Sequence, residues 1–273
     1  MLDLSDITDA QVASKINESL QGVHTKDARR ILEAVQKCAE RFSFSQTRTY
    51  PRPDHPDPKK RRSLLFLFCG ILVSLRTTLE NEQIAMDRLM SAAQQDADLL
   101  ELSEHEIAIL IQNAGMAKTK ARRIYEGIRI LLGFEGGIEG LSQLNKTEAR
   151  DFLLKIPGVG PKSADCLLTI GLGIPSMVVD VNVYRSASWI LDGKIEGLNY
   201  SDSHAVQEMK QRLDNLLVDN DAFLFQIVHT ELLLLSKNMG RRGHQRERCV
   251  GPKICQACLL EEKSKGHQTM LQI

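Results

Sequence analysis

The sequence is poor in aromatic residues, has no net charge and contains no long apolar run. Aromatic residues make up 5% of its 273 positions. Lysine and arginine together number 35, as do aspartate and glutamate, so the formal net charge at pH 7 is +0. A balanced total neither favours nor excludes a nucleic acid partner, so a DNA-binding surface would have to be a local cluster. The longest apolar run, residues 64–75, is too short for a bilayer, and we expect no membrane association.

Two further absences concern secretion and disulfide bonds. No signal peptide opens the chain, and three of the six cysteines lie in apolar helical patterns, where cysteine is typically a small buried hydrophobe. We therefore expect a reducing, intracellular compartment, either a cytoplasm with its nucleoid or a nucleus. The cysteines expected to be buried are Cys38, Cys69 and Cys166, whereas Cys249, Cys255 and Cys258 crowd near the C-terminus.

The two-residue alternation typical of β-strands is also missing, and apolar residues instead recur at helical spacing. The predicted fold class is therefore all-α. Ser103 with Glu106, and Asn145 with Glu148, have the spacing of capping boxes that begin helices. The predicted helices cover about residues 26–43, 63–75, 80–94, 104–114, 118–132, 145–155, 180–191, 202–218 and 221–238.

Residues 46–62 differ from the rest of the chain, because four prolines are followed by the basic run Lys59–Arg62. Prolines at this density exclude a regular helix and predict an extended linker. The basic run is compatible with a solvated linker end, a localisation signal or a phosphate contact.

An apolar helical pattern ends in the turn Ile156–Gly160, and a second helical pattern begins directly after it. Gly158 and Gly160 allow backbone angles that other residues avoid, and they keep side chains off the surface of the turn. Backbone N–H groups exposed in this way favour binding of a phosphate, which would position a DNA duplex without reading its sequence. By itself the turn is equally compatible with a tight connection between two helices.

The residues around this turn resemble the helix-hairpin-helix DNA glycosylase superfamily, and most closely its endonuclease III branch. The resemblance rests on Leu-Leu-Lys-Ile-Pro-Gly-Val-Gly-Pro-Lys-Ser-Ala at 153–164 and on Val-Val-Asp-Val-Asn-Val-Tyr-Arg at 178–185. A weaker similarity covers residues 113–121 and the last cysteines, so the resemblance spans about residues 63–260.

The resemblance implies two helical modules with the active site in a groove between them. The first is a helical barrel that ends in the helix-hairpin-helix. The second is a C-terminal helical module with a cysteine-containing loop, against which the N-terminal helices pack. The expected boundaries are 1–45 for the N-terminal helices, 46–62 for the Pro-rich basic linker, 63–174 for the barrel and 175–273 for the C-terminal module.

By this resemblance, Lys162 matches the nucleophilic lysine of the family and Asp180, 18 residues later, its catalytic aspartate. Breaking a base–sugar bond develops positive charge on the sugar, which a fixed carboxylate stabilises. A neutral amine in a closed pocket can then bond to the anomeric carbon, and the imine permits β-elimination of the 3′ phosphate. Lys162 thus predicts a bifunctional enzyme, a glycosylase and abasic-site lyase. Either residue alone would be interpreted as a surface lysine or a helix-capping aspartate.

Other residues are assigned to DNA by their position in the family pattern. Arg76 falls where the endonuclease III branch carries a glutamine that inserts into the duplex. It either fills the gap left by an extruded base or is an ordinary surface arginine. Cys166, one helical turn after Lys162, either lines the base pocket, as in the similar 8-oxoguanine glycosylases, or is a buried structural cysteine. The predicted DNA-binding residues are Ile156, Gly158, Val159, Gly160, Arg76 and Arg185.

The C-terminal cysteines depart from the family pattern. Endonuclease III-like enzymes commonly end in four cysteines that hold a [4Fe–4S] cluster, whereas this chain has Cys249, Cys255 and Cys258, with Ser264 at the fourth position. Since His267 is the only nearby substitute, a [4Fe–4S] cluster, a zinc ion and an empty loop all remain open. A basic cluster around this loop is a further predicted DNA contact. It consists of Lys237, Arg241, Arg242, Arg246, Arg248 and Lys253.

We therefore predict a monomeric base-excision repair enzyme that removes a damaged base, an oxidised pyrimidine, from double-stranded DNA and cleaves the strand at the abasic site. Within this class, the alternative is another base, such as 8-oxoguanine or a modified cytosine. From a different class, the alternative is a non-catalytic DNA-lesion-binding protein. The incomplete cysteine motif and the neutral charge favour that alternative, whereas the pair Lys162 and Asp180 argues against it.

Overall fold

The computed structural model describes residues 9–41, 64–194, 198–217 and 221–239, together with Cys249, Cys255 and Ala257. All secondary structure in these residues is helical, which confirms the predicted all-α class. The predicted linker, residues 46–62, lies outside them. The helices are α1 (Asp9–Gly22), α2 (Lys26–Arg41), α3 (Leu64–Ser74), α4 (Leu79–Ala92), α5 (Asp96–Glu101), α6 (Glu104–Leu110), a 3₁₀ turn (Gln112–Ala114), α7 (Ala117–Leu132), α8 (Gly137–Ser142), α9 (Lys146–Leu153), α10 (Pro161–Cys166), a π-helical turn (Leu167–Gly171), α11 (Val181–Asp192), α12 (Ser203–Leu216) and α13 (Ala222–Met239).

The described residues divide into two compact units. Residues 64–174 form the first unit, and residues 9–41 form the second together with the described residues from Pro175 onward. Within the described ranges, no helix combines the length and the apolarity needed to cross a bilayer.

Helix α3 lies in the apolar core of the first unit. Its side chains are buried almost all round, as its uninterrupted apolar sequence predicts. Gly127 of α7 permits a close approach, because a β carbon at this position would overlap Phe68 of α3 and lie 3.0 Å from Cγ2 of Ile156. The packing of α3 against α7 therefore includes the first residue of the turn that follows α9.

In the second unit, α11 packs against α13 and α2. The Ser186 hydroxyl of α11 donates to the Leu232 carbonyl of α13 at 2.7 Å, so a buried polar group is satisfied inside this packing. Arg212 of α12 forms ion pairs with Asp192 and with Asp27 of α2, each at 2.6 Å. These contacts join the N-terminal helix α2 to helices that follow Pro175.

Several local predictions are confirmed and others are wrong. Both capping boxes form, since Ser103 accepts from the Glu106 N–H and Asn145 accepts from the Glu148 N–H. The single helix predicted over 104–114 is instead α6 followed by a 3₁₀ turn. Helices α5 and α8 were not predicted, and α1 was expected only as one of the N-terminal helices within residues 1–45. Both α5 and α8 have only six residues, too few to show a clear period, and α8 contains two glycines.

Candidate active site

The hairpin turn, residues 156–160, connects α9 to α10. The Val159 N–H donates to the Ile156 carbonyl at 3.0 Å, so Pro157 and Gly158 occupy the central positions of a β-turn. Gly158 has a φ of +89°, and proline followed by a glycine with positive φ is characteristic of a type II turn. Gly158 therefore adopts a backbone angle that strains other residues, as predicted.

Gly160 does not share this constraint. Its φ of −98° is open to any residue, so the expectation of a restricted angle at this position is wrong. A β carbon at Gly160 would meet no atom within 4 Å. The glycine instead leaves an open surface at the start of α10, where a side chain would otherwise hinder the approach of another molecule.

The side chains of Ile156 and Val159 are buried in the apolar core of the first unit. These two side chains fix the turn to the core. The prediction that these two residues bind DNA can therefore hold only for their main-chain atoms.

Lys162 is the second residue of α10, which begins immediately after the turn. Its side chain is exposed, in contrast to the closed pocket that we expected. The next three residues, Ser163–Asp165, are buried, so α10 packs one side onto the core and presents Lys162 on another. Cys166 is partly exposed, so the prediction that it is buried is wrong, whereas Cys38 and Cys69 are buried as predicted.

A largely buried ion pair connects the two helices of the hairpin. Nε of Arg150 in α9 donates to Oδ1 of Asp165 in α10 at 3.0 Å, and the Asp165 side chain is only 3% exposed. A carboxylate at this depth requires a partner, so the pair restrains α10 relative to α9. Sequence reasoning missed this contact, although an acidic residue within an apolar helical run was its signal.

Helix α10 continues into the π-helical turn Leu167–Gly171. The Leu172 N–H donates to the Leu167 carbonyl, five residues back, at 3.0 Å. A β carbon at Gly171 would overlap Leu64 of α3. The wider turn therefore lies against α3 at a position where only glycine fits.

Asp180 is the N-cap of α11, in agreement with its predicted place at the head of a helix. Its Oδ1 accepts from the N–H groups of Asn182 and Val183, both at 2.9 Å. Its Oδ2 accepts from Nδ2 of Asn182 at 3.4 Å, and Ser236 of α13 donates to the amide oxygen of Asn182 at 3.3 Å. Because Asp180 is also 7% exposed, both carboxylate oxygens are held in a defined orientation.

The approach segment, residues 177–180, is bound to two helices of the second unit. The Met177 N–H donates to Oδ1 of Asp214 in α12 at 2.7 Å. The Val178 carbonyl lies 2.8 Å from Nδ1 of His229 in α13, so this ring nitrogen is the donor. Sequence reasoning missed both contacts, since the partners lie 37 and 51 residues away along the chain.

Tyr200 provides a third anchor of the approach segment. Its hydroxyl donates to the Val179 carbonyl at 3.5 Å, and its ring meets that of Tyr184 edge-on with centroids 6.3 Å apart. Partial burial raises the pKa of Tyr200 above its ordinary value, and the negative charge of Asp180 raises it further. Tyr200 is therefore electrostatically coupled to the candidate catalytic carboxylate.

Arg76 lies in the exposed connection between α3 and α4, with a φ of +50° that is uncommon for arginine. Lys120 of α7 restrains the chain nearby, because its Nζ donates to the carbonyls of Val73 and Ala114 at 2.8 and 2.7 Å. Burial lowers the pKa of Lys120, and the negative charge of Glu82 opposes this shift. The structure thus places Arg76 on the surface, three residues after a main-chain carbonyl that accepts a hydrogen bond from Lys120.

Two predicted DNA contacts of the second unit are exposed. Arg185 lies on α11 and Lys237 lies in the last turn of α13. The other members of the basic cluster lie outside the described residues.

The part of the chain that contains the hairpin turn and the two candidate catalytic residues matches the model of a known protein family. The model of the HhH-GPD superfamily of base excision DNA repair proteins matches residues 69–196, a stretch that includes the hairpin turn, Lys162 and Asp180. This stretch of the chain is therefore similar to the HhH-GPD superfamily.

Proteins similar to this chain include ones named endonuclease III. The protein of Thermotoga maritima is 30% identical over 146 residues, which are 54% of this chain and 63% of the relative. The chain thus spans slightly less than two thirds of that relative. The Escherichia coli K12 protein is 26% identical over 218 residues, 79% of this chain and 90% of the relative.

Solved structures show the same fold at low sequence identity. The structure of a trapped endonuclease III–DNA covalent intermediate aligns with a TM-score of 0.60 and 21% identity, over 88% of this chain and 99% of the other. The structure of a thermostable thymine-DNA glycosylase aligns with a TM-score of 0.63 and 20% identity, over 85% and 96%. At these identities the comparison establishes the fold alone.

The C-terminal cysteines of this chain are only partly described. Cys249 and Cys255 are buried, and the Cys255 thiol donates to the Trp189 carbonyl of α11 at 3.4 Å. Cys258 and His267 lie outside the described residues. Within the part of the chain that the structure describes, no three potential ligands form a metal site. Two described thiols cannot complete a four-ligand cluster, so the predicted cofactor remains a prediction.

Proposed function

We propose that this chain is a bifunctional DNA glycosylase and abasic-site lyase that removes an oxidised pyrimidine from duplex DNA. The observation that carries the proposal is the position of Lys162, exposed on α10 directly after a type II hairpin turn in a stretch of chain similar to the HhH-GPD superfamily. Relatives named endonuclease III and thymine/uracil-DNA glycosylase support an activity on DNA bases.

In this proposal the carboxylate of Asp180 stabilises the positive charge that develops on the sugar as the bond to the base breaks. Its two hydrogen bonds from backbone N–H groups and its burial support this role, because a carboxylate that is already oriented needs no rearrangement during the reaction. The base leaves with the electron pair of the glycosidic bond and takes up a proton.

The neutral amine of Lys162 forms a bond to the anomeric carbon, and opening of the sugar ring gives an imine. Loss of a proton from the neighbouring carbon then breaks the C3′–O bond, so that the 3′ phosphate leaves by β-elimination. An exposed lysine at the start of α10 is accessible to an extruded nucleotide. Bound DNA would then add to the enclosure of this lysine.

Borohydride trapping on duplex DNA with an abasic site tests the lyase assignment. The hydride reduces the imine to a stable amine, so the wild-type protein should form a covalent adduct. Lys162→Gln should abolish the adduct. Lys155→Gln is a matched control, since Lys155 is also exposed and lies just before the turn. Absence of a wild-type adduct would contradict the lyase proposal, and an unchanged adduct with Lys162→Gln would contradict the choice of lysine.

The partial exposure of Cys166 favours 8-oxoguanine as a second candidate base. This residue lies one helical turn after Lys162 and is partly exposed. A panel of duplexes that each carry one lesion distinguishes the candidates by the rate of base release. If Cys166 borders the base, Cys166→Ser should change the ranking among lesions, whereas a purely structural role would affect all lesions alike.

For the C-terminal loop, we propose a [4Fe–4S] cluster with Cys249, Cys255 and Cys258 as ligands and His267 as the candidate fourth ligand. Bound there, the cluster would link these residues of the loop, with no role in the chemistry above. Visible absorbance and iron content of the purified protein, compared with its zinc content, test this assignment.

A further inference from the structure

The space beside Gly158 is occupied by a side chain from a distant helix. A β carbon at Gly158 would lie 2.7 Å from Cδ and 3.4 Å from Cγ of Arg123 in α7, and 3.2 Å from Cδ2 of Leu72 in α3. The aliphatic part of Arg123 therefore lies directly against the main chain of the hairpin turn. Two separate constraints favour glycine at position 158, namely its positive φ and the close contact with Arg123.

The position of Cδ also locates the charged end of Arg123. The guanidinium begins at the next atom, so it lies close to the turn. The side chain is partly exposed, and among the residues that the structure describes, none forms an ion pair with it. A positive charge on a partly exposed side chain whose stem is held by packing is prepared for an anionic ligand, because less side-chain entropy is lost on binding.

We propose that Arg123 binds a backbone phosphate of DNA beside the hairpin turn. The inference rests on the proposed function, which brings DNA to this turn. A guanidinium presents paired N–H donors that match two phosphate oxygens, so it suits this ligand better than a lysine does. A contact of this kind fixes the position of the duplex and carries no sequence preference.

Sequence inspection does not single out Arg123, since it is one of several basic residues on α7. Arg122 is the adjacent residue and is more exposed. One residue corresponds to a rotation of about 100° around a helix, so the two side chains leave α7 in different directions. Arg129 is engaged elsewhere, stacked on the Tyr125 ring at 3.5 Å and donating to the Leu100 carbonyl. The contact with Gly158 distinguishes Arg123 from both.

The salt dependence of DNA binding tests this assignment. The measurement is the dissociation constant of full-length protein for a duplex with a stable tetrahydrofuran abasic site, by fluorescence anisotropy at several KCl concentrations. Loss of one phosphate contact lowers the slope of log K against log salt by about 0.9 and weakens binding about 8-fold at 0.1 M salt. Arg123→Gln should show both changes, whereas the matched control Arg122→Gln should retain the wild-type slope.

Arg123→Gln keeps a carbon at the Cδ position, so the packing on Gly158 is preserved, and an unchanged thermal transition verifies this. Arg123→Lys should retain most of the slope, because it keeps the charge. An unchanged slope for Arg123→Gln, or an equal loss for both glutamine variants, would overturn the assignment. If the wild type binds and is trapped in that case, the proposed function stands. If the wild type neither binds nor is trapped, the proposed function itself fails.

Discussion

Lys162 and Asp180 occupy opposite kinds of local structure within their respective units. Lys162 is exposed, on a helix of six residues that begins at a turn. Asp180 is buried, its carboxylate accepts two backbone hydrogen bonds, and the preceding main chain is bound by α12 and α13. The first residue is presented to solvent, whereas the second is restrained from several sides.

This difference matches the two chemical tasks in the proposed mechanism. A carboxylate that stabilises developing charge is most effective when it is already oriented, so rigidity serves it. In that mechanism the amine attacks the sugar, becomes part of an imine and is later released. Because its protonation state and its position change, it has to be able to move. Near Lys162, the ion pair of Arg150 with Asp165 restrains the main chain of α10, the helix on which Lys162 lies.

The largest expected effect separates the charge of Asp180 from its capping role. Asparagine caps a helix about as well as aspartate, so Asp180→Asn should leave the free energy of unfolding within about 0.5 kcal/mol. Loss of the charge should slow single-turnover base release about 100- to 1000-fold. A decrease of less than about tenfold would show that the carboxylate does not act in the chemical step.

The next prediction compares how substitution of Asp180 and of Lys162 changes the free energy of unfolding. Asp180→Ala removes the cap of α11 and should lower the free energy of unfolding by about 1–2 kcal/mol. Lys162→Ala replaces an exposed side chain and should change it by no more than about 0.5 kcal/mol. Urea denaturation measures both. Equal destabilisation by the two substitutions would contradict the contrast between them.

A similar comparison applies to the two glycines of the hairpin turn. Gly158→Ala should destabilise the protein by about 1–2 kcal/mol, because alanine is strained at positive φ and its methyl group meets Arg123. Gly160→Ala has an open angle and open space, so its stability should be close to that of the wild type. If Gly160→Ala weakens binding to abasic DNA while thermal stability is unchanged, the surface at Gly160 contacts DNA. Unchanged binding would exclude that role.

The smallest effect is a change in the titration of Tyr200. Partial burial and the Asp180 charge raise its pKa, so in Asp180→Asn the pKa should move back toward 10, the ordinary value for tyrosine. Absorbance of the phenolate follows the titration, and Tyr200→Phe identifies its contribution. Above pH 10 an unfolded tyrosine loses its proton before Tyr200 does, so stability should fall as the pH rises through the raised pKa. A tyrosine titration that is identical in wild type and Asp180→Asn would contradict the coupling.

Features that depend on neighbours in the sequence were predictable. The turn at Pro157 and Gly158 and the cap at Asp180 each use residues within three or four positions, and local rules describe such contacts. The contacts of Lys120 with Val73 and of His229 with Val178 join residues 47 and 51 positions apart. No local pattern specifies them, because they depend on which helices pack together.

Exposure was the other feature that local patterns described poorly. Lys162 and Cys166 both lie on α10, yet the sequence alone led us to expect Lys162 in a closed pocket and Cys166 either buried or lining the base pocket. The burial of Ser163–Asp165, with Asp165 paired to Arg150, decides which side of α10 faces inward. Because Asp165 is buried and paired with Arg150, the side of α10 that faces inward differs from the side that apolar periodicity alone predicts.

The π-helical turn at Leu167–Gly171 has a consequence for the permitted length of this segment. A π-helical turn is equivalent to one residue inserted into an α-helix, and here Gly171 is the residue placed against Leu64. Deletion of one residue between 167 and 170 would remove this insertion and give α-helical geometry, so Gly171 would keep its place against Leu64. Chain length and residue size are therefore separate constraints at this point. We expect a variant shortened by one residue to fold with Leu64 unchanged, whereas Gly171→Ala should destabilise the protein because its methyl group would overlap Leu64.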